Sequence, residues 1–219
     1  MTVLPTETGL SVQMRDGSQA EHKDAEGSSF MSCLLDGQVN ETGYTEYLAM
    51  LRPIYAALES VGARLADDPI AGAVIDPAIN RLAAIDRDLA YWSGDAGVPQ
   101  VQSAAVDRYV ARIEAAAADP ALFVAHHYTR YLGDLSGGQA IGRILARTFE
   151  LPEGQGIAFY QFDAVPKPKP YKDAYRARLD SLPLTPRDQQ RVVDEVKVVF
   201  GLNGALFEEL STQLPRFAR

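Results

Sequence analysis

Cysteine is nearly absent. Cys33 is the only one in 219 residues, so an intramolecular disulfide is impossible and a cytoplasmic address is expected. Long apolar runs are missing as well. Nothing approaches the roughly 18 apolar residues of a membrane span, and no charged segment with an apolar core precedes Arg15, the first basic residue. No membrane or targeting segment is expected. Positive charge is in deficit: 21 Lys and Arg face 29 Asp and Glu, a net −8. That argues against nucleic acid as a partner, because phosphate recognition needs a basic face. Histidine is limited to His22, His126 and His127. The last two are adjacent and point about 100° apart on a helix, so they cannot hold one ion together. The paired Glu-x-x-His motifs of a di-iron bundle are absent, and a zinc site of several His and Cys is unsupported.

Strand signals are scarce too, and helical spacing takes their place. The expectation is an all-α fold forming one domain over residues 1–219, with residues 1–7 and 213–219 as flexible tails. Asp68-Pro69, Asp76-Pro77, Asp119-Pro120 and Thr185-Pro186 each put a capping side chain before a proline, which predicts four helix starts. Tyr44, Leu48, Leu51, Tyr55 and Leu58 form one apolar stripe, within which Pro53 predicts a kink. Leu82, Ile85, Leu89 and Trp92 form a second, and Val106, Tyr109, Val110 and Ile113 a third. Val196, Phe200, Phe207 and Leu210 form a fourth. Residues 119–149 read as one long helix interrupted by glycines. Residues 150–170 contain no clear element and end in Lys167-Pro168-Lys169-Pro170, read as a stiff extended connector.

The informative residues are those that break this pattern. Gly133, Gly137 and Gly138 fall within six helical positions, at about 1 kcal/mol each relative to alanine. Gly133 and Gly137 share a face and make a strip on which a flat object could lie; close helix packing or a simple loop is the other reading. Asp134 borders the strip, where a carboxylate could order water or shuttle protons, or merely pair with Arg130 on the surface. One histidine suffices to ligate a haem iron. His22 has Glu26 four residues on, placed to take its other ring N–H, although an exposed histidine in a charged segment fits the same pattern. Asn203, Tyr55 and Tyr109 put polar atoms on core stripes, satisfied either locally or by a shared network. Lys172 and Arg176 are a basic spot or a solvated face.

Together these residues resemble a known family. Tyr128-Thr129-Arg130-Tyr131-Leu132-Gly133-Asp134-Leu135-Ser136-Gly137-Gly138-Gln139 is similar to the distal-helix signature of the haem (heme) oxygenases. The segment His22 to Phe30 resembles their proximal-histidine segment, His-x-x-Ala-Glu-x-x-x-Phe. Tyr171 to Arg176 resembles their propionate-binding helix, and Phe200 to Leu210 their last helix. The resemblance spans residues 8 to 212, and the soluble bacterial, biliverdin-producing branch is the nearest in kind.

The resemblance implies haem between a proximal and a distal helix. It implies cleavage of haem by O2 to biliverdin, in the α isomer, with Fe2+ and carbon monoxide released. Electrons would come from an external donor, a ferredoxin or a flavoprotein reductase, with Lys167, Lys169 and Lys172 as a docking patch. His22 would be the axial ligand to the iron and Glu26 its partner, with Phe200 also against the haem. Gly133 and Gly137 would admit the porphyrin, and Asp134 would hold a water chain that delivers protons. Tyr55, Tyr109, Arg130 and Asn203 match the distal hydrogen-bond network. Arg15, Lys172 and Arg176 match propionate-binding positions, with Tyr128 nearby. Gln19 stands where animal members carry a lysine, and Cys33 lacks the proline of a haem-regulatory motif. A haem carrier on the same fold, without turnover, is the alternative.

Overall fold

A computed structural model describes residues 8–219, which are almost entirely helical; residues 1–7, expected to form a loose tail, lie outside the described residues. Two short helices, α1 (Leu10–Gly17) and α2 (Gln19–Glu26), lead into α3 (Ser29–Leu35) and the long α4 (Glu41–Arg64). Then come α5 (Leu82–Ser93), α6 (Ala104–Ala116) and α7 (Pro120–His127). After the site segment follow α8 (Gln139–Thr148), α9 (Pro168–Asp180), α10 (Pro186–Thr212) and α11 (Leu214–Phe217). The apolar stripes face inward as their spacing requires: Tyr44, Leu48, Leu51, Tyr55 and Leu58 of α4 are all buried. Helix α4 continues through Pro53, which lacks the N–H for one backbone bond, and Tyr55 still reaches the interior.

The 119–149 segment is helical throughout but not uniformly α. Tyr128–Leu132 and Asp134–Gly138 are π-helical turns on either side of Gly133. Such widened turns surrender regular bonding and concentrate at functional sites. The two histidines of α7 anchor its end in divergent directions. His126 Nε2 lies 3.0 Å from Glu195 Oε1 on α10, and Glu195 also accepts from Arg112 of α6 at 2.8 and 2.5 Å. His127 Nδ1 lies 2.8 Å from the Tyr175 hydroxyl on α9. Burial lowers the His127 imidazole to about 3, so it is neutral.

Five expectations need correction. Residues 213–219 are docked, not loose. Phe217 is buried against Gly43, where a Cβ would stand 2.7 Å from its ring, and Asn40 Nδ2 donates to the Arg216 and Ala218 carbonyls. Lys167–Pro170 is no extended connector: Pro168 and Pro170 occupy the first turn of α9, where a missing N–H costs nothing. Asp68-Pro69 starts only a series of turns: the Asp68 carboxylate accepts from the N–H groups of Ile70 and Ala71 as a cap does, but the turn does not propagate into a helix. Asp76-Pro77 opens a three-residue 3-10 turn. The Thr185 side chain does cap α10, at Asp188 N, whereas Asp119 precedes α7 without capping it and pairs with Arg191 instead.

Burial would raise the Glu195 carboxyl, but the hydrogen bonds from Arg112 and His126 outweigh it and hold the group at about 2. Its folded value lies below the ordinary 4.5. Its stabilisation is therefore complete above that pH and disappears as the pH falls toward 2. Glu195→Gln is expected to cost about 2 kcal/mol at neutral pH. Thermal unfolding against pH should show the gap to wild type closing only in acid; a gap that is constant with pH would refute the assignment.

Candidate functional site

A cleft opens where α1, α2, α9 and α10 meet the π-helical segment. It has two lobes of about 310 and 300 Å3 that share His22, Thr129, Gly133, Ser136 and Phe200 as walls. The segment's glycines make part of the surface. A Cβ added at Gly133 or Gly137 would meet nothing within 4 Å, so both face open space. The loop and tight-packing readings of this pair therefore fail: the residues are helical and their bare backbone borders the cleft. Gly138 differs, since a Cβ there would stand 2.9 Å from Tyr160 Cδ1.

His22 also lines both lobes, with its side chain 51% exposed. Its ring packs edge-on against Phe200, with centroids 5.2 Å apart, and its Nδ1 lies 3.5 Å from Glu26 Oε2. The ring is thus steered from two sides while one face stays accessible. That is the chemistry of an available imidazole ligand.

Behind the bare backbone lies a buried polar cluster. The Tyr55 hydroxyl donates to Asp134 Oδ2 in a short hydrogen bond. Arg130 donates to that same hydroxyl from Nε at 3.1 Å and Nη2 at 2.9 Å, and from Nη1 to Asn203 Oδ1 at 2.8 Å. Arg130 and Asp134 do approach at 3.7 Å, as a simple helix pair would, but both are buried and Tyr55 links them. Burial raises the Asp134 carboxyl above its ordinary range; Arg130, the Tyr55 hydrogen bond and Arg81 oppose this without cancelling it. A carboxyl so placed holds a proton more readily than an exposed aspartate, at the edge of a cavity it lines. The Tyr109 hydroxyl is buried beside this cluster without a hydrogen-bond partner among the described residues.

The first lobe carries the basic residues. Arg15, Arg176 and Tyr128 line it, and burial raises the Tyr128 phenol while the two arginines lower it. Arg15 pairs with Asp16 at 2.7 Å and Arg176 with Asp173 at 3.1 Å, both exposed and free to exchange partners. Lys172 Nζ donates to Ser136 Oγ at 3.1 Å, at the cleft's rim. Sequence reasoning missed Ser136, Tyr47 and Tyr160 as cleft walls. Tyr47 lies three residues after Tyr44, beside the α4 stripe, which was a usable signal. Tyr160 belongs to a stretch without periodicity and gave none. Among the described residues no group of three or more His, Cys, Asp or Glu is placed to hold a metal ion, and no helix is long and apolar enough to cross a membrane.

A family model described as Heme oxygenase matches residues 8–209. The chain belongs to the haem oxygenase family. It is 40% identical over 209 residues to human Heme oxygenase 1, covering 94% of this chain and 73% of that protein. Heme oxygenase 2 of Synechocystis is 38% identical over 208 residues, covering 93% and 83%. The crystal structure of Synechocystis heme oxygenase-1 in complex with heme superposes with a TM-score of 0.89 at 36% identity, covering 95% of each chain. Synechocystis heme oxygenase-2, in complex with heme and NO, gives 0.90 at 37%, covering 95% and 88%. Haem oxygenases are oxidoreductases, and this chain is one of them.

The two kinds of glycine on this haem oxygenase helix should separate in the apoprotein. Gly133→Ala and Gly137→Ala put a methyl into open space at helical backbone and are expected to raise Tm by about 2–4 °C each. Gly138→Ala drives a methyl into a packed ring and is expected to lower it. Calorimetry giving all three the same sign would refute the placement.

Proposed function

We propose that the chain binds haem in this cleft and cleaves it oxidatively to biliverdin, Fe2+ and carbon monoxide, with His22 as axial ligand to the iron. The observation that carries the reading is the convergence on one cleft of an accessible imidazole, a side-chain-free stretch of helix and a buried carboxyl of raised proton affinity. The cleft fits a flat macrocycle, because Gly133 and Gly137 leave open the space that any Cβ would fill.

Haem, the substrate, supplies the iron at which O2 is reduced and the ring carbon that is oxidised. The chain's residues bind, orient and deliver protons. Glu26 and Phe200 fix the His22 ring, whose Nδ1 faces the carboxylate. Arg15, Lys172, Arg176 and Tyr128 hold propionates by charge-assisted hydrogen bonds, which set the in-plane rotation and so favour the α isomer. Bare backbone at Gly133 and Gly137 limits the approach to the ring edge sterically. Asp134 releases a proton through water and is reprotonated, while Tyr55 and Arg130 keep its carboxylate in place. Asn203 fixes the guanidinium, and Tyr109 offers a further hydroxyl to the same water. Electrons come from outside, from a ferredoxin or a flavoprotein reductase. Lys167, Lys169 and Lys172 give an acidic donor a local basic edge despite the net −8.

Aerobic incubation of the hemin complex with a reductase system, followed by chromatography, tests the reading. Biliverdin and carbon monoxide are expected. Hemin bound without product would mark a carrier instead. Asp134→Asn should retain hemin affinity yet form product about 100-fold more slowly. His22→Ala should be inactive until imidazole is supplied. Normal pigment yield from either variant would overturn the role given to that residue.

A further inference from the structure

The stretch between α8 and α9 is held by two buried charged residues, Arg81 just before α5 and Asp88 within it. Asp88 accepts from the backbone N–H groups of Ala158 at 2.8 Å and Phe159 at 2.7 Å. Arg81 donates to the Gln161 carbonyl at 2.5 Å, and its guanidinium lies 3.9 Å from the centre of the Phe162 ring. A carboxylate and a guanidinium thus clamp one 3-10 turn, Ala158–Tyr160, from both ends. The residue this clamp presents is Tyr160. Its side chain lies on the second glycine pair of the site helix: a Cβ at Gly138 would stand 2.9 Å from its ring, and one at Gly142 3.0 Å from its own Cβ.

The hydroxyl of Tyr160 is the unexplained part. It is buried and makes no hydrogen bond of normal geometry among the described residues, and neither does the hydroxyl of Tyr44 on α4. The two hydroxyls stand close enough to act on each other, Tyr160 as a weak hydrogen-bond partner of Tyr44. Tyr47, whose ring centre lies 6.5 Å from that of Tyr44, joins them to the 300 Å3 lobe that Asp134 also lines. The charged groups around this trio are Asp88 on α5 at one end and Arg130 and Asp134 on the site helix at the other. Buried hydroxyls are rarely left unpaired, and two neighbouring ones, one of them on a residue that lines a lobe shared with Asp134, Arg130 and Asn203, provide the two or more partners that an internal water needs.

Taking the cleft as the haem site proposed above, we propose that Tyr44, Tyr47 and Tyr160 bind ordered water and form an inner arm of the hydrogen-bond network that ends on Asp134. Tyr160 is then a positioning residue. Its ring seats the helix at Gly138 and Gly142, and its hydroxyl, buried behind the cleft wall, acts on Asp134 through water. The arm gives the Asp134 carboxyl hydrogen-bond partners that persist when a ligand covers the cleft.

Tyr44→Phe, Tyr160→Phe and the double variant test this twice. In the apoprotein, each single variant is expected to lower Tm by about 2–4 °C, and the double variant by clearly less than the sum, because the shared water is lost only once. In the ferric hemin complex, both variants should keep the hemin affinity and move the midpoint of the acid–alkaline spectral transition by about half a pH unit. Higher Tm in the single variants would mean that the hydroxyls are dry, and additive losses that they share no water; either overturns the inference. An unmoved midpoint overturns the link to Asp134. Failure of wild type to bind hemin would overturn the reading of the cleft, while the apoprotein cycle would still decide the water.

Discussion

A wall of helix without side chains has no packing of its own on that side, and the rest of this molecule is arranged around that constraint. Gly133, Gly137, Gly138 and Gly142 lie within ten residues, at about 1 kcal/mol each relative to alanine. The turns around Gly133, Gly137 and Gly138 are also widened to π geometry. The segment is therefore held from elsewhere. Arg130 ties it to Tyr55 and Asn203, His126 and His127 fix the preceding turn to α10 and α9, and Tyr160 fills the back of the second glycine pair. Its polar side chains serve the interior, which leaves its bare backbone to the cleft.

That arrangement gives the site its electrostatics. The Arg130 guanidinium stays charged in the interior because Tyr55, Asn203 and Asp134 surround it. The same burial raises the Asp134 carboxyl, so one cluster supplies a fixed cation and a carboxyl of raised proton affinity. At the other lobe the chain gathers Arg15 and Arg176 although its overall charge is −8. An acidic body with a basic cleft mouth selects a carboxylate-bearing ligand by local field and keeps the remaining surface repulsive to anions.

How much of this was legible follows from how far each residue's reason lies from it in the chain. Thr185-Pro186 was read correctly because the cap and the first turn are neighbours, and the hydroxyl has no better partner. Asp68-Pro69 carries the same signal and even makes the cap's bonds, to the N–H groups of Ile70 and Ala71, yet only turns follow, so a satisfied cap does not by itself propagate a helix. Gly133 and Gly137 stood out because glycine inside a helix needs a reason, and open space supplies it. Gly142 did not, since its reason is Tyr160, delivered by a segment whose order comes from Asp88 and Arg81 rather than from periodicity. The docked end at Phe217 was invisible in the same way: its pocket is made by Gly43, far back in the chain. Long-range pairs such as Arg112 with Glu195 have no local signature at all.

The account's central claim is that a flat macrocycle sits between the His22 imidazole and the backbone of the 133–137 turn. A crystal structure of the hemin-loaded protein tests it directly. The account predicts one hemin per chain, with iron on the His22 ring, propionates toward Arg15 and Arg176, and the opposite porphyrin face against Gly133 and Gly137. Hemin bound elsewhere, or held in this cleft with His22 turned away from the iron, would contradict it.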